Sequence, residues 1–252
     1  MFKKTSLIYG LALFFMVVCV HAADASDHML WGMLLNKHVQ GGTVDYQGFK
    51  KDEAELDRYL VSLAKTDPDA LESSDQLALY INAYNAYTVK LILKNFRDGN
   101  PVQSIKKIGG LFTSPWSISF AEIGGKTLTL DQIEHEIIRP RFQDPRIHFA
   151  VNCASKSCPP LISAPYLGET LDTQLDTSTR NFLADRKHNY LDADTLYVSS
   201  IFKWYGDDFN DDPAAYFLKY LEGESLEQLR RIGPEIRVKY LDYDWSLNGK
   251  QD

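Results

Sequence analysis

The run Gln76 to Asn95, QLALYINAYNAYTVKLILKN, reads as the strongest helix in the chain. Leu77, Tyr80, Ile81, Tyr84, Thr88, Leu91 and Ile92 recur at helical spacing and form its apolar face. Ser73 followed by Gln76 has the form of a capping box that opens it. Asn82 and Asn85 stand one turn apart in this helix, beside Tyr80, Tyr84 and Tyr87. Asn fits poorly inside a helix, because its amide competes for backbone hydrogen bonds. The two amides therefore either clamp neighbouring backbone in a buried network or line a pocket.

Working outward, residues 27 to 38 and Glu53 to Lys65 carry further helical patterns, with Gly41-Gly42 breaking the first. Gly124-Gly125 is a hairpin turn between two extended runs. Thr129 with Gln132 caps another helix, which Pro140 is expected to stop. Ile147 to Cys153 reads as a short apolar strand, and residues 169 to 184 as a helix. A second hairpin is expected around Asp192 to Thr195. Asp212-Pro213 starts a helix, Gly233 closes another, and Ile236, Val238 and Tyr240 alternate as a last strand. Helices come first, and strands then mix irregularly with helices. That order predicts an α+β fold with a mainly antiparallel sheet and packed helices, not a doubly wound one.

Lys3 and Lys4, an uncharged apolar run from Leu7 to Val20, and then Ala22, Ala23 and Ala25 have the order of an export signal. Residues 1 to 22 are read as that signal and 23 to 252 as one globular domain, periplasmic or secreted. Losing Lys3 and Lys4 takes the net charge from −7 to −9. So acidic a chain lacks the basic footprint of a nucleic-acid binder. No second apolar run is long enough to span a membrane.

The segment from Arg146 to Leu161, RIHFAVNCASKSCPPL, holds the most chemistry. As a strand it puts His148, Ala150 and Asn152 on one face and Ile147, Phe149, Val151 and Cys153 on the other. Cys158 would then have to fold back towards His148, or a turn starting at Asn152 would have to swing Cys153 round. In an oxidising compartment the two cysteines are first a disulfide pair, closing a short loop worth roughly 2 kcal/mol. The other readings are a catalytic thiol with His148 as its base, or a plain buried cysteine. A zinc site from Cys153, Cys158, His148 and His135 lacks a supporting motif, so no metal and no cofactor are expected. Glu134 and His135 sit on the preceding helix, where such a His is more often a surface or helix-end residue. Trp204, within Lys203-Trp204-Tyr205 and ahead of Asp207-Asp208, is a candidate ligand contact at a strand end.

These segments carry a likeness. Asn82-Ala83-Tyr84-Asn85-Ala86, Leu130 to His135, His148 to Cys153, Ser157-Cys158-Pro159, Phe202 to Tyr205 with Asp208-Phe209, and Asp242 to Asn248 resemble the domain-of-unknown-function family number 547 over about residues 40 to 248. The resemblance implies a domain and an exported setting, and carries no reaction with it. One departure is Ala154, where the family often has Gly, which disfavours a positive φ there.

Two functions follow as expectations. One is a thiol-dependent hydrolase or acyltransferase acting on peptide or amide bonds, with Cys158 or Cys153 as nucleophile and His148 as base. The other is a non-catalytic envelope ligand-binding or interaction module with a Cys153–Cys158 bridge, taking a small molecule or an envelope peptide or polymer, or meeting other envelope components. In both, Asn82, Asn85, Glu134, His135, Asn152 and Trp204 are the binding candidates. The site is expected where the His148 segment meets the long helix, with Asn82 or Asn85 beside the imidazole.

Overall fold

A computed structural model describes residues 28 to 110 and 112 to 250. The expected export signal lies outside them. The long helix is the axis of the molecule: α4, Ser73–Lys94, is buried on nearly every side, so its surroundings close over the polar face as well as the apolar one. On it pack α2 (Tyr46–Lys51) and α3 (Glu53–Lys65), and α1 (Met29–His38) packs against those two. The ammonium of Lys90, the one residue of the α4 mid-section that stays half-buried, lies between Glu53 and Asp57 of α3. The Ser73–Gln76 capping box does not form. The Gln76 amide instead donates to the Pro68 carbonyl at 2.7 Å, which holds the α3–α4 connection against the helix start.

The α+β class stands, and its strands are short. Three antiparallel hairpins are present: β1 with β2 (Val39–Gln40, Thr43–Val44), β3 with β4 (Ala121–Ile123, Lys126–Leu128), and β5 with β6 (Tyr190–Asp192, Thr195–Val198). The β3–β4 turn is Gly124-Gly125, both at positive φ, as a two-residue turn of this kind requires. The last strand, β7 (Arg237–Tyr240), adds to β6 in parallel. After β6 the chain turns into the short helix α7 (Ile201–Trp204).

Two apolar cores result. The first surrounds α4. The second, rich in phenylalanine, gathers Phe182 from α6 (Leu171–Ala184), Phe202, Phe209 and Phe217, with α8 (Pro213–Tyr220) and α9 (Gly223–Ile232) over it. Residues 147 to 151 form the seam: Ile147, Ala150 and Val151 belong to the first core and Phe149 to the second.

Candidate active site at the seam

The seam segment is not a strand. Asp144 accepts a hydrogen bond from the Arg146 amide, Pro145 supplies a fixed helical φ, and Pro145–Phe149 winds as a 3-10 helix. Asp144, Asp172 and Asp176 all bind the Arg146 guanidinium and fix this start. His148 within this turn and Val151 just beyond it both line one cleft. The ladder bonds a strand would need come from a side chain instead. Asn85 donates to the Ala150 carbonyl (2.9 Å) and accepts from the Asn152 amide (2.8 Å).

A turn then swings Cys153 round. Asn152 accepts from the Ala154 amide at 2.9 Å and donates to the Pro159 carbonyl at 2.7 Å. Ala154 does take the left-handed conformation, at φ 59°. The Cys153 amide donates to Cys158 Sγ at 2.9 Å. Cys153 Sγ lies 3.0 Å from Ser155 Oγ and 3.2 Å from the Tyr243 hydroxyl. Hydrogen bonds from the Cys158 thiol, Ser155 and Tyr243 hold the Cys153 thiol below its ordinary range. Burial pushes Cys158 well above it. Both are free thiols in this structure.

The helix bearing Glu134 and His135 keeps its expected cap, with Thr129 and Gln132 bonding reciprocally at 3.0 and 3.1 Å. It does not stop at Pro140. Gln132–Ile138 is a π-helix that continues into α5, Arg139–Phe142. The wider winding admits Pro140 and turns both Glu134 and His135 to the cleft. Glu134 is buried, while His135 is exposed at the rim.

His148 is 3% exposed. Its Nε2 donates to Asp208 Oδ2 at 2.6 Å, and its Nδ1 is 3.8 Å from Glu134 Oε1. The Tyr205 ring lies across the imidazole at 3.9 Å, with the His135 ring stacked on its far reach at 6.1 Å. Burial, then the Glu134 charge, raises the Tyr205 phenol far above its usual value. Arg139 grips Asp208 with two nitrogens, at 2.7 and 3.0 Å. The hydrogen bond from His148, then Arg139, holds Asp208 well below the usual carboxylate range.

His148, Glu134, His135, Tyr205 and Cys153 line a cleft of about 200 Å³ together with a cluster of aromatic side chains. Trp204 is exposed and stacks on Trp245 at 5.6 Å and 24°, Trp116 meets Trp245 edge-on, and Tyr243 reaches from this wall to Cys153. Both cysteines, His148, Glu134, His135 and Trp204 line this one space.

Three binding candidates do not. Asn85 and Asn152 spend their amides on backbone, and Asn82 bonds the carbonyl and amide of Tyr166 at 2.7 and 2.9 Å. Each is fully buried and outside the lining, since the seam's irregular backbone takes the hydrogen bonds a ligand would otherwise use. Asn85 meets the His148 segment through backbone, not through the imidazole. None of the hydrogen bonds described for either sulfur goes to His148. Residue reading passed over Arg139, Asp131, Trp116, Tyr243 and Trp245. Only the meeting of Tyr243 and Trp245 with Trp116 and Trp204 makes them a wall.

An α+β domain with a thiol pair beside a buried carboxylate–imidazole array in an aromatic cleft is what fold and site define. The family model described as "Protein of unknown function, DUF547" matches residues 68–183, and over that stretch the chain is similar to that family. No curated protein and no solved structure matches the chain.

Proposed function

We propose that the protein is a thiol-dependent hydrolase or acyltransferase acting on amide bonds, with Cys153 as the attacking sulfur. The observation that carries this reading is the Cys153 thiol itself. It lines the cleft, and hydroxyl and thiol donors on it favour the thiolate. Attack on an amide carbonyl forms the S–C bond. The C–N bond then breaks, and the leaving nitrogen takes the proton that the Cys153 thiol has given up to the His148–Glu134 pair. Asp208 orients this imidazole through Nε2 and leaves Nδ1 for the transfer. Water, or an acceptor amine, then releases the acyl group from the thioester. Cys158, kept protonated by burial, is the donor to the nucleophile and not the nucleophile. We assign the activity to the periplasm or the exterior, on the pattern of residues 1 to 22.

Incubation with amino-acid 4-nitroanilides, followed by acid quench and intact mass, tests this. The expected result is a thioester adduct on Cys153 that is missing in Cys153→Ser. Full turnover by Cys153→Ser would end the reading. The alternative, a binding module closed by a Cys153–Cys158 bridge, is favoured by one observation, the Cys158 thiol within hydrogen-bonding reach of Cys153. Thiol titration of protein taken from its own compartment decides between two free thiols and none.

A further inference from the structure

Asp131 immediately precedes the π-helix, half-buried on the cleft wall. Among the described residues no Lys or Arg pairs with it, and its carboxylate accepts no hydrogen bond. The charges it feels are His135, which favours the carboxylate, and Glu134, which opposes it. Burial is the larger influence, and it pushes the Asp131 carboxyl up. Among the described residues no Lys or Arg lines the cleft, and Arg139, on the helix that follows the π-helix, is committed to Asp208. The interior thus offers carboxylates without a matching fixed cation.

The same cleft also carries complementary chemistry. Trp116, Trp204, Trp245 and Tyr243 present ring faces and edges around the same space. The Trp245 indole already accepts a cation on one side, where the Lys106 ammonium sits 4.6 Å from the ring centroid. A carboxylate without a Lys or Arg partner, sharing a small cavity with electron-rich rings, favours an ammonium over a neutral or anionic group.

We propose that this cleft takes a ligand bearing a primary ammonium group, held between the Asp131 carboxylate and the Trp204–Trp245 indoles, with its neighbouring amide carbonyl turned to Cys153. The proposal rests on the reading of the cleft as an amide site and names its substrate class: amides of amino acids, or the amino-terminal residue of a peptide. At about 200 Å³ the space is smaller than pockets for drug-sized ligands, and suits one residue.

The test uses the Cys153→Ala protein, which binds without turning over, and titration calorimetry with L-alanyl-L-alaninamide and its N-acetylated form. The free amine is expected to bind at least about tenfold more tightly, as for a charge-assisted contact. Asp131→Asn, isosteric and at a position with no side-chain cap bond, removes that preference, and Asp131→Glu retains it. Equal binding of the two ligands, binding of neither, or a preference that survives Asp131→Asn overturns the proposal. Turnover by the protein with Cys153 intact is scored separately. Amine preference without turnover leaves this inference standing and sinks the hydrolase, whereas turnover without amine preference does the reverse.

Discussion

The α1–α4 bundle and the seam around His148 are built on different terms. In the bundle, backbone groups satisfy one another and side chains fill space. Leu56, Leu63, Ile81 and Ile92 are almost wholly buried among apolar neighbours. In the seam, 3-10, π and left-handed turns leave backbone groups unpaired, and buried Asn side chains take them up. Regular backbone frees side chains for packing. Irregular backbone recruits side chains as scaffold, and in return holds His148, Cys153 and Glu134 at angles that a strand and a plain helix would not give.

The comparison breaks first at Asn85. Asn85→Leu is expected to cost about 3 kcal/mol in denaturant unfolding, since a buried N–H and a buried C=O both lose their partner. That matches what Leu63→Ala costs in the bundle by opening a cavity, about 3 kcal/mol. A loss under about 1 kcal/mol would mean that the seam is not held by its amides.

Asp208→Asn comes next, at about 2 kcal/mol near neutral pH, for a hydrogen bond to a charged group. Its pH dependence is the sharper test. A carboxyl depressed in the folded state contributes fully above its unfolded value of about 4 and loses that contribution as the pH falls below it. The gap between wild type and Asp208→Asn should therefore shrink in acid, and a gap that grows there contradicts the His148–Asp208 assignment.

Thr129→Ala should cost about 1 kcal/mol, because its capping box forms, while Ser73→Ala should cost under about 0.5 kcal/mol, because the other does not. Ala154→Gly is the only gain, about 0.7 kcal/mol in stability from relieving a positive φ. Alkylation of Cys153 should have its midpoint below the ordinary thiol range, near 8.5, and Tyr243→Phe should raise it.

The same contrast explains how much could be read beforehand. Glu53–Lys65 is a helix to the residue, since periodicity reports where an amphipathic element packs. The Gly124-Gly125 hairpin was legible for an equally local reason. Ile147–Cys153 was not: five apolar residues alternate well enough for a strand, and nothing in the run reveals that Asn85, far away in sequence, will take its ladder bonds. The left-handed Ala154 was hidden because its cost is met by Asn152 and Asn248, the latter bonding Asn152 at 3.2 Å. The aromatic wall joins residues 116, 204 and 245, so no local window contains it. Individual chemical residues were visible from their types, but whether each faces a ligand or the backbone is a property of the seam.

The wall also gives the molecule a built-in optical readout. Of the four tryptophans, Trp31 is sealed in the helical core against Tyr59, and the other three line the cleft. Trp204 and Trp245 are stacked closely enough for their excited states to couple. Emission and near-ultraviolet dichroism therefore come mostly from the site, and a ligand entering it would change the colour of the whole protein's signal while Trp31 stays dark to the event.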